Sequence, residues 1–249
     1  MIDGLARIHD RNLYGNKAFN LSQIIKHNIL VPKGIVISDT IRQQNPNIEE
    51  LEKLLKQDKT FNSFVNHEKN YAVRSSSNLE DGNKYAFPGQ FESLLNVKVE
   101  NIASSIISCW NSSKSERLQD YALALSINID NLSFAVIIQE FLKGNFSGTL
   151  FTQSPMSKKE EMLLEVKAGT CDALVSGNTI ADTYLINSDN IRHMYGRNKN
   201  ILSKNQIYEL AEIGKQIVSI FKYPQDIEWT IYHGNIYILQ PRAITTLKK

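Results

Sequence analysis

Four polar side chains near the end of the chain alternate with large apolar ones. Asp226 and Glu228 lie in Pro224-Gln-Asp-Ile-Glu-Trp229, and Gln240 and Arg242 in Tyr237-Ile-Leu-Gln-Pro-Arg242. Such alternation is the period of a half-buried strand. Between the runs, His233-Gly234-Asn235 reads as a three-residue hairpin loop, with Gly or Asn free to take positive φ. That register pairs Tyr232 with Ile236 and places Glu228 opposite Gln240. Ile227, Trp229, Ile231, Tyr237 and Leu239 then share an apolar face. Asp226, Glu228, Gln240 and Arg242 gather on the other. Two hard oxygen ligands, a second carboxylate and a guanidinium on one face suit a Mg²⁺ ion holding a polyphosphate. A surface hairpin with solvated charges is the alternative reading.

Two cations stand earlier. Lys17 follows Tyr14-Gly-Asn and precedes Leu21, Ile24 and Ile25, whose spacing is helical. It therefore stands at a helix N-terminus, already favourable for an anion. A solvated lysine is the alternative there. Arg74 ends the apolar run Tyr71-Ala-Val and precedes Ser75-Ser-Ser77 and a Gly-containing polar loop. Loop amides, hydroxyls and a guanidinium make a phosphate cradle; an ion pair with Glu80 or Asp81 is the alternative. Neither the P-loop nor the dinucleotide glycine fingerprint is present.

The elements that must position these groups are mixed. Helical patterns cover residues 18–27, 46–65, 102–110, 114–125 and 203–221, the last with Ser203 as N-cap and Gln206 three residues on. Strand patterns cover residues 35–38, 71–74, 91–97, 134–141, 147–152, 162–166 and 183–186. There is no regular β-α alternation, so the class is α+β. The polar stretch 128–133 is the expected boundary between two lobes.

Composition narrows the function. The 249 residues are 42% hydrophobic and 22% charged, ordinary for a globular protein. A net charge of +2 gives no electrostatic case for nucleic acid or an anionic membrane. No apolar run has transmembrane length, and the N-terminus lacks a basic-then-apolar signal. Two cysteines without a Cys-x-x-Cys spacing fit a reducing cytoplasm. Five scattered histidines without His-Glu-x-x-His argue against a zinc hydrolase.

The order of the pieces resembles a known family. Gly15-Asn-Lys-Ala-Phe-Asn-Leu21 with Val31-Pro-Lys-Gly-Ile-Val-Ile37 is similar to the first motif of the ATP-grasp domain of phosphoenolpyruvate synthase and pyruvate, phosphate dikinase. Tyr71-Ala-Val-Arg-Ser-Ser-Ser77 with Phe87-Pro-Gly-Gln-Phe-Glu-Ser-Leu-Leu-Asn-Val97 resembles its second. Val136-Ile-Ile-Gln-Glu-Phe141 with Ser147-Gly-Thr-Leu-Phe-Thr152 resembles its third. Ala173-Leu-Val-Ser-Gly177 with Asp182-Thr-Tyr184, then residues 224–229 and 239–245, complete the set. Rifampin phosphotransferase and the L-glutamine kinase of bacterial capsule phosphoramidate synthesis are similar in this same domain.

The resemblance implies an α+β ATP-grasp fold of two lobes, with the nucleotide in the cleft between them. An N-terminal lobe, 1–133, would carry the phosphate-binding lysine and arginine and a mobile loop over 75–90. A C-terminal lobe, 134–249, would carry an adenine hinge and the metal-binding hairpin. It implies ATP and Mg²⁺ as cofactors. Lys17, Arg74 and Arg242 match catalytic phosphate-binding residues, and Arg117 a further arginine near the phosphates. Gln139, Glu140, Phe141 and Leu142 match the hinge whose backbone reads adenine, and Glu165 is kept among the nucleotide-binding residues. Glu228 and Gln240 match the Mg²⁺ ligands.

The sequence also departs from the family. Gly169-Thr170-Cys171-Asp172 stands where Gly-Leu-Gly-Glu is usual, Gly15-Asn16-Lys17 replaces Gly-Gly-Lys, and Pro241 and Ala243 are swapped. The implied activity is an ATP-dependent phosphotransferase that passes a phosphoryl group to a histidine on a separate domain, leaving AMP and phosphate. Its partners would be that phosphocarrier domain and an acceptor-binding domain, neither of which this sequence contains. A small-molecule kinase domain, a nucleotide-binding regulatory module without turnover and a plain structural domain are the alternatives.

Overall fold

A computed structural model describes residues 1–79, 92–124, 132–156, 161–170, 181–187, 190–196 and 201–244. The chain divides into two compact units. Unit 1 comprises Met1–Ser22 and Pro32–Phe141; unit 2 comprises Gln23–Val31 and Leu142–Lys249.

Unit 1 is built on a five-stranded sheet in the order β1-β2-β5-β3-β4. Its strands are β1 (Ile2–Gly4), β2 (Gly34–Ile37), β3 (Tyr71–Ser77), β4 (Ser93–Val97) and β5 (Phe134–Glu140). All pairings are antiparallel. Ile35, Ile37, Tyr71, Val73, Phe134, Val136 and Ile138 share one face by register, and all are buried in the core. After the short helix α2 (Asp39–Gln43), helices α3 (Ile48–Gln57) and α5 (Ile102–Ser112) contribute Leu51, Leu55, Ile102, Ile106 and Trp110 to the same core. Helix α1 (Arg11–Lys26) begins in unit 1, and α6 (Glu116–Ala124) belongs wholly to it.

Three expectations need correction here. β5 pairs with β2 on one side and β3 on the other, so it is the central strand of unit 1. The division therefore falls after Phe141 rather than after residue 133. Part of the polar stretch 128–133 that suggested a boundary lies outside the described residues. The single amphipathic helix over 46–65 is two helices, α3 and α4 (Lys59–Phe64). Asp58 caps the first and then accepts from the Phe61 N–H to start the second. Finally, Ser75, Ser76 and Ser77 belong to β3, paired with Val136, Ala135 and Phe134. Their backbone groups serve the sheet rather than a loop.

Unit 2 is a six-stranded antiparallel sheet in the order β11-β10-β6-β7-β8-β9. Its strands are β6 (Phe146–Phe151), β7 (Met162–Ala168), β8 (Asp182–Ile186), β9 (Ile191–Tyr195), β10 (Gln225–Tyr232) and β11 (Asn235–Ala243). β9 carries too little apolar alternation to have been expected. Helix α7 (Lys204–Phe221) covers one face, with Ile207, Leu210, Ala211, Gly214 and Ile217 buried. Gly214 permits the contact: a Cβ there would lie 2.8 Å from Leu150 Cδ2. Ser203 and Gln206 form the expected capping box. The Ile238 N–H donates to Leu30 O, tying the segment after α1 to β11.

Candidate functional site

In unit 1 the two cations converge on one strand. Helix α1 breaks at Gly15, whose φ of 75° and ψ of 167° are not helical. The break lets the chain approach β3 so closely that a Cβ on Gly15 would lie 2.2 Å from Ser76 O. The helix resumes beyond it, placing Lys17 at a helix start. Lys17 is only 2% exposed, so the solvated reading fails, and its Nζ donates to Ser75 O at 3.1 Å. Ser76 bridges the break: its Oγ donates to Tyr14 O at 2.7 Å and accepts from the Ala18 N–H at 3.0 Å. Asn16 Nδ2 donates to Asn78 O. Arg74 is half-buried and shares the Ser76 face of β3, opposite the core. Ser77 Oγ accepts from the Leu79 N–H. The serine hydroxyls of 76 and 77 therefore hold the backbone rather than offering themselves as a cradle.

Tyr14 anchors the break from its other side. Its phenol donates to the Asp3 carboxylate on β1. Burial, then the hydrogen bond and charge of Asp3, push the Tyr14 pKa up, so the phenol keeps its proton.

The hinge residues are largely committed to unit 1. The Glu140 and Phe141 N–H groups donate to Lys33 O and Asn70 O, both at 2.9 Å. Gln139 is buried and donates to Pro32 O, and Glu140 pairs with Lys69 at 2.7 Å. Leu142, the first residue of unit 2 after the crossing, accepts from Gly144 N–H.

In unit 2 the expected hairpin is present with a different turn. Tyr232 pairs with Asn235, so the loop is His233-Gly234, both at positive φ (47° and 79°). This suits a tight two-residue turn of the primed kind. A regular ladder from that turn would set Leu239 opposite Glu228. A bulge between Trp229 and Glu228 inserts one residue and brings Gln240 opposite Glu228 instead. The apolar face is corrected accordingly: Ile227, Trp229, Ile231, Ile236 and Ile238 are buried, whereas Tyr237 and Leu239 are half-exposed.

Strand register extends this pair across the sheet. Glu228 faces Gln240 on one side and Thr149 on the other; Thr149 faces Glu165, and Glu165 faces Thr183. Five strands thus place Gln240, Glu228, Thr149, Glu165 and Thr183 in one polar row, on the face opposite α7. At the strand spacing of about 4.8 Å, Glu228 and Glu165 stand ~10 Å apart. Thr149 Oγ1 donates to Glu165 at 3.0 Å. The next row holds Arg242, whose Nε and Nη2 reach Asp226 Oδ2 at 2.8 and 2.6 Å. Arg242 was expected to face a phosphate; its guanidinium is paired across the hairpin. Thr149 and Thr183 were missed, because a row across several strands is invisible until the strands are paired.

A Mg²⁺ ion fits the donor set of Glu228 and Gln240. One carboxylate and one amide oxygen side by side are the few protein ligands that Mg²⁺ uses when phosphates and water fill the rest. Among the described residues no group of three or more His, Cys, Asp or Glu could hold a metal alone. The loop residues from 80 to 91 and Asp172 in the stretch 171–180 lie outside the described residues, as does the side chain of Arg117 on α6.

Comparison with known proteins fixes the family. The family described as pyruvate phosphate dikinase, AMP/ATP-binding domain, matches residues 45–197 and 191–249. The chain belongs to this family. Its α+β fold is the ATP-grasp class implied by the motifs. The rifampicin phosphotransferase of Bacillus subtilis is 32% identical over 98% of this chain. A probable phosphoenolpyruvate synthase of Archaeoglobus fulgidus is 31% identical over 72% of it. The dikinase-type domain spans 29% and 27% of those two relatives. Among solved structures, PH1788 from Pyrococcus horikoshii shares the fold at a TM-score of 0.50 with 11% identity, covering 93% of this chain and 91% of that one.

Proposed function

We propose that the chain is a Mg-ATP-binding phosphotransfer domain of a dikinase-type enzyme. It serves transfer of a phosphoryl group from ATP to a histidine on a separate domain, with AMP and phosphate as products. The observation that carries this reading is the pairing of Glu228 with Gln240 on a polar sheet face, in a chain of an AMP/ATP-binding family.

Mg²⁺, when bound, supplies charge neutralisation between the phosphate oxygens. Glu228 and Gln240 would hold it. Lys17 and Arg74 neutralise phosphate charge; Arg74 stands on β3 and Lys17, on α1, is bonded to β3 at Ser75 O, and this fixed placement spares reorganisation as charge develops. Arg242 contributes to the phosphates by exchanging part of its bond to Asp226, which also keeps the guanidinium oriented. Adenine is read by backbone at the hinge. With the Glu140 and Phe141 N–H groups already used, the Leu142 N–H is the donor left to it among the described residues.

Names of relatives divide between phosphoenolpyruvate synthase and rifampicin phosphotransferase. A small-molecule acceptor in the parent protein is therefore the second reading; the chemistry of this domain is the same in both.

Calorimetry with ATP in Mg²⁺ and in chelator tests the proposal. ATP binds more tightly with Mg²⁺, and Glu228→Gln removes most of the difference. Equal affinity in both conditions would remove the metal role of the hairpin. AMP release is slow for the chain alone and fast when a phosphocarrier domain and acceptor are supplied. Lys17→Ala and Arg74→Ala each lower that fast rate by about 10²–10³.

A further inference from the structure

Asn16 separates the glycine that breaks α1 from Lys17, and it stands where the family motif usually carries a second glycine. The motif therefore does not account for it. Asn16 is buried, and its Nδ2 donates to Asn78 O at 2.8 Å. Asn78 follows the last residue of β3. That acceptor is itself held in place. Asn78 Oδ1 accepts from the Ser133 N–H at 3.1 Å, and the next N–H, of Phe134 on β5, donates to the Asp39 carboxylate of α2 at 2.8 Å. Asn16 is thus bonded to a residue that is tied to the start of the central strand of unit 1.

What this bond controls is a pivot. Gly15 has no Cβ to limit its dihedrals, and rotation there swings the residues that follow, Lys17 among them. The Ser76 hydroxyl holds the backbone on both sides, through Tyr14 O and the Ala18 N–H. The Lys17 Nζ adds its bond to Ser75 O at 3.1 Å. That bond draws on the ammonium itself, so it competes with an anion. The Asn16 amide holds the same turn and leaves the ammonium to the anion. We infer that Asn16 is a positioning residue: its side-chain amide fixes the pivot at Gly15 and so aims the Lys17 ammonium at phosphate. This rests on the reading of Lys17 as a phosphate-binding residue, and it adds to that reading the neighbour through which the lysine is placed.

Calorimetry with Mg-ATP on four chains tests it: wild type, Asn16→Ala, Lys17→Ala and the double variant. Lys17→Ala removes a charge-assisted contact and weakens ATP about 10–100-fold. Asn16→Ala loses one neutral hydrogen bond, and with it the aim of the ammonium, and weakens ATP about fivefold. In the Lys17→Ala background the same change alters affinity by less than about twofold, because no ammonium is left to place. Melting curves show that each chain folds; Asn16→Gly, the residue usual in the motif, replaces Asn16→Ala if that variant does not. An equal loss in both backgrounds overturns the inference, since Asn16 would then act on the fold and not through Lys17. So does an unchanged ATP affinity when Asn16 is replaced with Lys17 present. Lys17→Ala binding ATP as wild type does is a separate failure: it sinks the reading of Lys17 as a phosphate ligand, and the inference with it.

Discussion

Gly15 and Gly234 have nearly the same φ, 75° and 79°, and opposite surroundings. Beside Gly15 the Ser76 carbonyl, its carbon and its hydroxyl would all lie within 2.5 Å of an added Cβ; beside Gly234 nothing lies within 4 Å. The first glycine permits one backbone to press against another, and so sets where Lys17 goes. The second merely closes a turn. The cations of unit 1 are therefore placed by a close packing contact, whereas the oxygen donors of unit 2 are placed by strand register, which tolerates a change at the tip. The largest predicted effect follows. Gly15→Ala costs about 3 kcal/mol or more, from a backbone region open only to glycine and from overlap with a strand that cannot yield. Gly234→Ala costs only about 1–2 kcal/mol, the ordinary penalty for a left-handed residue. Urea midpoints for the two variants measure this, and equal losses would dissolve the contrast.

The second comparison sets the two kinds of cation anchor against each other. Lys17 donates to a backbone carbonyl, whereas Arg242 holds a carboxylate that is itself buried. Arg242→Met leaves Asp226 without its guanidinium partner and is expected to cost about 2 kcal/mol at neutral pH. The double variant Arg242→Met with Asp226→Leu recovers most of that, since neither charge remains. Chemical denaturation of the three chains reads it directly. A double variant as unstable as the single one would mean that the Asp226 carboxylate matters to the fold through other bonds.

What the sequence made legible follows from the same contrast. Strand alternation exposed Glu228, Gln240, Asp226 and Arg242, because a period of two needs no partner to be read. The loop length was misjudged, since positive φ was expected of Gly or Asn alone, whereas His233, a residue type that also enters the left-handed region, takes it here. The error left the Glu228–Gln240 pairing intact because the bulge restored it. Burial of Lys17 was not legible. It depends on Ser75–Ser77 continuing β3 against β5, and three serines read locally as a loop. Thr149 and Thr183 came into view only once four or more strands were laid side by side. The lobe boundary was misplaced because polarity before β5 suggested a linker, while the apolar run of β5 itself was the truer signal of a central strand.

A smaller test holds the chemistry constant and changes only the unit. Asn47 of α3 and Ser203 of α7 each cap a helix through a capping box. Asn47→Ala and Ser203→Ala should each cost about 1 kcal/mol, because exposed caps act locally. Thermal melting that shows Ser203→Ala much the more damaging would mean that α7, which covers one face of its sheet, governs unit 2 more than α3 governs unit 1.

The smallest effect concerns protons. Tyr14 in unit 1 and Tyr184 in unit 2 are both nearly fully buried, and burial is the main cause that raises each pKa; the carboxylates of Asp3 and Asp182 add to it. A tyrosine whose folded pKa exceeds its unfolded value, about 10, favours the folded state only while the unfolded chain keeps its proton. Its stabilisation is complete below that pH and is lost as pH rises toward the folded value. At pH ~10.5 the loss from one such phenol is under about 1 kcal/mol. Tyr14→Phe should flatten the decline of the urea midpoint above pH ~10, and Tyr184→Phe should do the same, with lysine titration as the common background. The two should then part in function. Tyr14 also offers its carbonyl to the Ser76 hydroxyl beside Gly15, and its phenol ties that point to β1. Loss of the tether loosens the backbone that positions Lys17, so Tyr14→Phe weakens ATP binding at pH 8 by a fewfold. Tyr184→Phe leaves it unchanged. Equal ATP affinities in the two variants would show that the kink at Gly15 is held by β3 alone, with no help from the phenol.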